Sequence, residues 1–274
     1  MTLNKPTLIH SVAPAANHHE DRDEQYSLTK ILGLWAVVSV PMAFLAFIVG
    51  PVLIPRTTLP PGIVHWLLMV IGMMWQCVVS LLILRRELGH LRWQAVRKRT
   101  WSNLPRDPET GRTNAKLFWW LLPCLVFSAL TGQVLAPLLD GPYNVLFPFF
   151  TMPARMDIGQ LADPMFLGQW WLLGLALVSN LFNYFLGEEL FFRGVLLPKM
   201  KGVFGRWDWL ANAVLFGFYH LHKPWALPSI MVSNLAISWP AARFKSSWMA
   251  VIVHGAEGVF VVVMVFGVIL GLVR

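Results

Sequence analysis

Glu188 and Glu189 stand side by side in Gly187-Glu188-Glu189-Leu190-Phe191-Phe192-Arg193, within a stretch that is otherwise almost wholly apolar. A carboxylate in hydrocarbon costs several kcal/mol unless it is paired, protonated or reached by water, so its presence there is by default a sign of function. Two later apolar stretches each carry a histidine, His220 and His254. One carboxylate and two imidazoles, brought together from three helices, are a set that can hydrolyse a peptide bond. That reaction needs a captured water, a base to activate it and donors for the tetrahedral oxyanion.

Spacing sorts the two acids. On a helix Glu189 and Arg193 are i and i+4 with the acid first, the favourable direction for an ion pair. Glu188 points about 100° away, and its own i+4 neighbour is Phe192, which leaves it as the free carboxylate. The motif alone is equally compatible with an ion pair that only locks helices together. Phe216 precedes His220 by one helical turn and should pack against its ring. A lone His220 could equally be bonded to a neighbouring helix. His222 is expected on another face, near the interface. His254 opens His254-Gly255-Ala256-Glu257-Gly258, where small residues allow close approach of a helix or a substrate backbone. Glu257, at i+3, shares roughly the face of His254. Other hydrolytic plans are absent: there is no His-Glu-x-x-His, no Gly-x-Ser-x-Gly and no Gly-x-Gly-Asp.

Such residues must be held by membrane-spanning helices. The 274 residues are 56% hydrophobic and 13% charged, with mean hydropathy +0.57, far too apolar for a soluble domain. Fourteen Trp and eighteen Phe suit lipid-facing and interfacial positions. Apolar runs predict seven spans, near Ile31–Ile54, Gly62–Leu84, Leu117–Leu139, Phe166–Phe192, Trp207–Trp225, Ala226–Phe244 and Trp248–Val273. Asn144–Pro153 is apolar but too short to span, and an eighth helix could lie there. The expected fold is all-α, a polytopic bundle of seven to eight spans. It divides into a polar tail (1–28), a three-span region with a basic loop (29–165) and a motif-bearing membrane region (166–274).

The net charge of +8 does not point to nucleic acid, because the basic residues sit in short loops between apolar runs. The loop from Arg85 to Lys116 is strongly basic and should be cytoplasmic. The loop with Asp140, Asp157 and Asp163 should face out, and the loop from Arg193 to Arg206 in, with the N-terminus inside. Glu188, His220 and His254 lie 11, 14 and 9 positions from Lys199, Arg206 and Lys245. At the helical rise these are depths of ~16, ~21 and ~13 Å, close enough for one shared site. The tail holds no signal-peptide core. Its His18, His19, Glu20 and Asp21 read better as a solvated segment than as a metal site. Cys77 and Cys124 fall within spans and read as small buried hydrophobes.

In order and spacing, Glu188-Glu189-x-x-x-Arg193, Phe216-x-x-x-His220 and the histidine that opens His254-x-x-x-Gly258 resemble the CPBP family. That family includes CAAX prenyl endoproteases of the Ras-converting type and bacteriocin-processing and immunity (Abi) proteins. The resemblance covers about residues 166–273, and its first two motifs are complete. The third has Gly258 where the pattern carries Asn. The resemblance implies that Glu188 and His220 activate water and that Glu189 organises the site with Arg193. It assigns oxyanion stabilisation to His254 and the missing Asn, a donor worth ~2.7–4 kcal/mol in the transition state. Glu257 or Asn234 would have to replace it. Glu188, His220 and His254 could supply a zinc ion with three ligands, and metal-independent water activation is equally open.

The leading expectation is therefore an intramembrane endopeptidase cutting near the cytoplasmic face, most simply in a bacterial inner membrane. Its substrate would be a leader peptide or a membrane-protein segment, with a prenylated CAAX tail a minority choice. Its partners would be membrane lipids and that peptide or protein, not nucleic acid. The alternatives are a non-catalytic immunity or scaffold protein of the same family and an ion-coupled transporter, the latter without an inverted repeat to support it.

Overall fold

The computed structural model describes residues 25–273, and among them seven helices traverse the bundle while an eighth is a short helix in a loop. Residues 1–24, with His18, His19, Glu20 and Asp21, lie outside the described residues. Helix α1 covers Leu28–Arg56. Ser27 caps it, its hydroxyl accepting from the Lys30 amide at 3.2 Å. Pro41 removes one ladder bond, and a π-turn at Leu45–Val49 follows it. Helix α2, Pro61–Leu88, has Pro at its first position and ends on Gly89, whose φ of 72° only glycine adopts at little cost. Short α3, Trp93–Arg99, lies in the basic loop. Helix α4 covers Ala115–Leu146.

The motif-bearing half follows. Helix α5 begins as Trp171–Leu181 and continues through two π-turns, Phe182–Leu186 and Leu190–Leu196. Helices α6 (Asp208–Tyr219), α7 (Leu227–Arg243) and α8 (Ser247–Ile269) complete the bundle. Among the described residues there is no strand beyond an isolated Arg106–Thr113 bridge.

Each of the seven expected spans contains a helix. Four helices, α1, α2, α4 and α8, are long and apolar enough to cross a membrane. Helix α5 is interrupted at Gly187, and α6 has only 12 residues because the chain leaves the helix at His220 and meets Pro224. Helix α4 runs further than the third expected span and absorbs the start of the short apolar stretch. The rest of that stretch folds as a 3-10 turn, Pro148–Phe150. The end of the expected polar tail is docked. Tyr26 is buried, bonded through its hydroxyl to Glu87 and through its amide to the Lys199 carbonyl.

Helices α6 and α7 pack as an antiparallel pair, α8 lies against α7 and α5, and α2 lies between α1 and α5. Helix α4 is peripheral and exposes Trp119, Leu122 and Leu138. The core gathers Phe191, Phe192, Phe216 and Tyr219 around a fully buried Arg193. The apolar outer surface and the four long helices make this an integral membrane protein.

The basic loop closes one end of the bundle. Arg99 donates to the Gly194 and Val195 carbonyls at 3.2 and 3.1 Å and pairs with Glu87 at 2.8 Å. Backbone bonds join Ser247 to Trp101 and Arg106 to Phe244. Thr100 is fully buried there.

Candidate active site

Gly187 explains how the two glutamates are placed. A Cβ at this position would overlap the Phe182 carbonyl and lie 2.8 Å from the Met73 carbonyl, so only glycine lets α5 press this closely on α2. The π-turns on either side re-aim successive side chains, as such turns do at functional sites. Glu188 and Glu189 follow immediately.

Glu189 and Arg193 form the expected pair, Oε1 to Nη1 at 3.0 Å, with both side chains wholly buried. Arg193 also donates to Ser238 on α7 at 3.1 Å. Ser238 donates to Asn212 on α6, which donates to the Phe192 carbonyl. The guanidinium lies 4.0 Å from the centre of the Phe216 ring. One charge pair therefore ties α5, α6 and α7 together. Glu189 Oε1 also contacts His254 Nδ1 at 2.9 Å, which brings in α8.

Glu188 is separate, as its helical position predicts. Its Oε1 accepts from the Tyr219 hydroxyl at 3.0 Å. The Asn183 amide, turned so that its nitrogen faces the carboxylate, lies 2.9 Å from both oxygens. His254 Nε2 faces Glu188 Oε2 at 4.0 Å. His254 thus stands between the two acids, held by Glu189 on one side and facing Glu188 on the other. Its ring meets Tyr184 and Phe216 edge-on, with centroids 4.7 and 5.6 Å away.

His220 is close by, but no hydrogen bond or ion pair among the described residues joins it to Glu188. Its Nδ1 contacts the Phe216 carbonyl at 2.8 Å, and its ring packs edge-on against Phe216 and Tyr219, both at 4.8 Å. The packing expected from Phe216 is present. His222 is buried, its ring 5.4 Å from that of His220, and it lines a cavity. The chain leaves the helix at His220, which turns His222 inward.

That cavity has a volume of about 1080 Å³. Glu188, Asn183, Tyr184 and Asn180 lie at its inner end, and His65 and His222 along its wall. Segments 58–63 and 152–166 form its mouth.

Gly258, the departure from the motif, has a physical cause. A Cβ there would sit 2.5–2.6 Å from the Tyr184 ring and 3.0 Å from Asn180 Nδ2. The Asn180 amide donates to the Gly258 carbonyl at 2.8 Å. An asparagine amide therefore lies beside position 258, but it comes from α5. Glu257 is exposed on α8 and makes no hydrogen bond or ion pair with these groups. Asn234 is buried on α7, with its Nδ2 unpartnered among the described residues.

The donors offered for zinc do not converge. Among the described residues no three His, Cys, Asp or Glu side chains are grouped so as to hold a metal ion. Glu188, His220 and His254 as placed do not fit a catalytic zinc site, which needs three protein ligands.

The residues missed from the sequence are Tyr219, Asn183, Tyr184 and Asn180. A signal existed, since Asn180, Asn183 and Tyr184 are polar side chains one and two turns before Glu188 in an apolar span. Tyr219 precedes His220 and carried no spacing clue of its own.

Residues 169–260 match the family model described as Rce1-like, type II CAAX prenyl endopeptidase Rce1-like. No curated protein and no solved structure matches the chain.

Proposed function

Because residues 169–260 are those of an Rce1-like domain of the CPBP/CAAX-protease family, we propose that this integral membrane protein is an intramembrane endopeptidase in which Glu188 activates the hydrolytic water. The observation that carries this reading is the carboxylate of Glu188 at the inner end of a large cavity, held by Tyr219 and Asn183 and faced by an imidazole.

Each side chain then has a task. Glu188 takes a proton from water, and the resulting hydroxide adds to the scissile carbonyl carbon. Glu189, its charge balanced by Arg193, accepts from His254 Nδ1–H and so fixes the tautomer that presents Nε2 to Glu188. The proton passes from Glu188, directly or by way of His254, to the leaving amine as the C–N bond breaks. Asn180 and Asn183 supply amide donors beside the place where the oxyanion develops, which makes good the missing asparagine at 258. His220, whose Nε2 has no hydrogen bond among the described residues, draws up to the water when substrate fills the cavity, since catalytic contacts tighten on binding. Phe216 holds His220, His254 and Arg193 in register. Glu257, exposed on α8 and outside the cavity lining, is given no direct part in the chemistry.

The substrate is a peptide segment that is membrane-associated or part of a leader sequence, with the prenylated CAAX tail a narrower case. On this reading the N-terminus is cytoplasmic, which the basic loops support, and the membrane is a bacterial inner membrane. The test compares membranes containing the wild type and Glu188→Ala at equal protein levels, with new peptide termini mapped by mass spectrometry. Termini found only with the wild type support proteolysis. Identical termini, with both proteins folded, favour a peptide-binding scaffold instead.

A further inference from the structure

We infer that the cavity holds a carboxylate-binding subsite built from His65, Arg155 and Lys223, so that peptides preferred at Glu188 carry a carboxylate within a few residues of the bond that is cut. The inference rests on the peptidase reading for the bond that is cut, but the subsite itself can be tested by binding alone.

Four basic side chains line the cavity that contains Glu188. They are His65 on α2, Arg155 in the segment between α4 and α5, and His222 and Lys223 after α6. None belongs to the motifs of Glu188, His220 and His254, and the hydrolytic steps given above do not use them. Two of them hold polar atoms that nothing satisfies. His65 is only 8% exposed, and its Nδ1 is buried without a hydrogen-bond partner among the described residues. Arg155 is partly buried, and its Nε is likewise buried and unpartnered. A buried donor left unmade is costly, and a ligand that completes it is one physical reason for keeping it.

The three side chains are also near one another. The Arg155 carbonyl lies 3.8 Å from where a Cβ of Gly62 would be, which sets Arg155 against the first turn of α2. His65 follows Gly62 by three residues, on the same helical face. Arg155 and Lys223 both act electrostatically on His65, and Lys223 acts on His222 and Glu188 as well. Lys223 thus links the cluster to the carboxylate that activates water.

The acids of the cavity leave these cations unmatched. Asp157 and Asp163 line it too. Each turns an oxygen back on its own chain, accepting from the Gly159 and Met165 amides at 2.8 Å. Neither forms an ion pair with Arg155 or Lys223 among the described residues. Glu188 is held by Tyr219. A guanidinium, an ammonium and an imidazole without counter-ions are the complement of a carboxylate, whose two oxygens suit the planar arginine fork. A peptide supplies that group as an Asp or Glu side chain or as a free C-terminus.

The experiment uses full-length Glu188→Gln, which should bind without cutting, in an uncharged detergent. The probes are three fluorescent peptides of leucine and alanine. One ends in a free carboxylate, the second is its C-terminal amide, and the third is that amide with one internal alanine replaced by aspartate. The first or the third should bind about 10-fold more tightly than the second, and the one preferred names the source of the carboxylate. Adding Lys223→Gln or Arg155→Gln should abolish the preference. Equal binding of all three peptides would overturn the inference, as would a preference that survives both substitutions. Lys223 is exposed, so Lys223→Gln gives the answer should Arg155→Gln fail to fold. Termini that depend on Glu188 report proteolysis separately. Such termini without a preference in binding defeat the subsite alone, and a preference without such termini defeats the peptidase reading alone.

Discussion

Placing at position 258 the asparagine of the motif this chain resembles should harm this protein. A side chain there starts with a Cβ 2.5–2.6 Å from the Tyr184 ring, where ordinary contact needs ~3.4 Å or more. The ring must therefore retreat by roughly 1 Å, in a core packed as densely as a crystal. Overpacking of this kind costs about 1–3 kcal/mol. The movement also loosens the edge-on contact of Tyr184 with His254, now 4.7 Å between centroids, a pair worth ~0.5–1.5 kcal/mol. Gly258→Ala should thus cost about 1.5–4.5 kcal/mol in all. Gly258→Asn should cost at least as much and should lower cleavage, because it disturbs the ring that orients His254. Tyr184→Ala should relieve the clash, so the pair Gly258→Asn with Tyr184→Ala should recover stability relative to Gly258→Asn alone. The assay is thermal unfolding in detergent, together with cleavage of a substrate identified from the mapped termini. Wild-type stability in Gly258→Ala, or faster cleavage by Gly258→Asn, would refute the reasoning and leave the motif asparagine as the missing donor.

Other outcomes follow from the same geometry. Glu188→Gln keeps the size and the hydrogen bonds of the side chain but not its basicity, so cleavage should fall by ~10²–10⁴-fold while unfolding is unchanged; retained cleavage would remove Glu188 from the mechanism. Tyr219→Phe deletes one bond to a carboxylate, ~1.5–3 kcal/mol, and should slow cleavage by about 10- to 150-fold with little change in unfolding temperature. Arg193→Met leaves Glu189 buried without its cation and should cost ~3–5 kcal/mol, whereas Arg193→Met with Glu189→Gln should cost less than Arg193→Met alone. Equal losses in single and double variants would show that the pair is not what joins α5 to α7 and α8. Arg99→Ala should release the basic loop from the Gly194 and Val195 carbonyls, read as faster proteolysis within residues 100–114 in inside-out vesicles; an unchanged cleavage pattern would mean that other contacts hold the loop.

Periodicity and charge cost were enough to make several features legible in the sequence. A pair at i and i+4 is local, so the Glu189–Arg193 bridge could be read from spacing, and so could the separateness of Glu188. Phe216 against His220 is local in the same way. Buried carboxylates are costly, which singled out the motif before any fold was known. The helical class followed from composition, because only helices or closed barrels satisfy the backbone in lipid.

What tertiary structure decided was everything that depends on neighbours distant in sequence. His254, rather than His220, stands against both acids because α8 packs on α5, which no spacing specifies. Tyr219 reaches Glu188 from α6, a contact between separate helices that no spacing specifies. Gly258 looked like a lost donor in one dimension. In three it is the gap that the Tyr184 ring requires, with the Asn180 amide beside it.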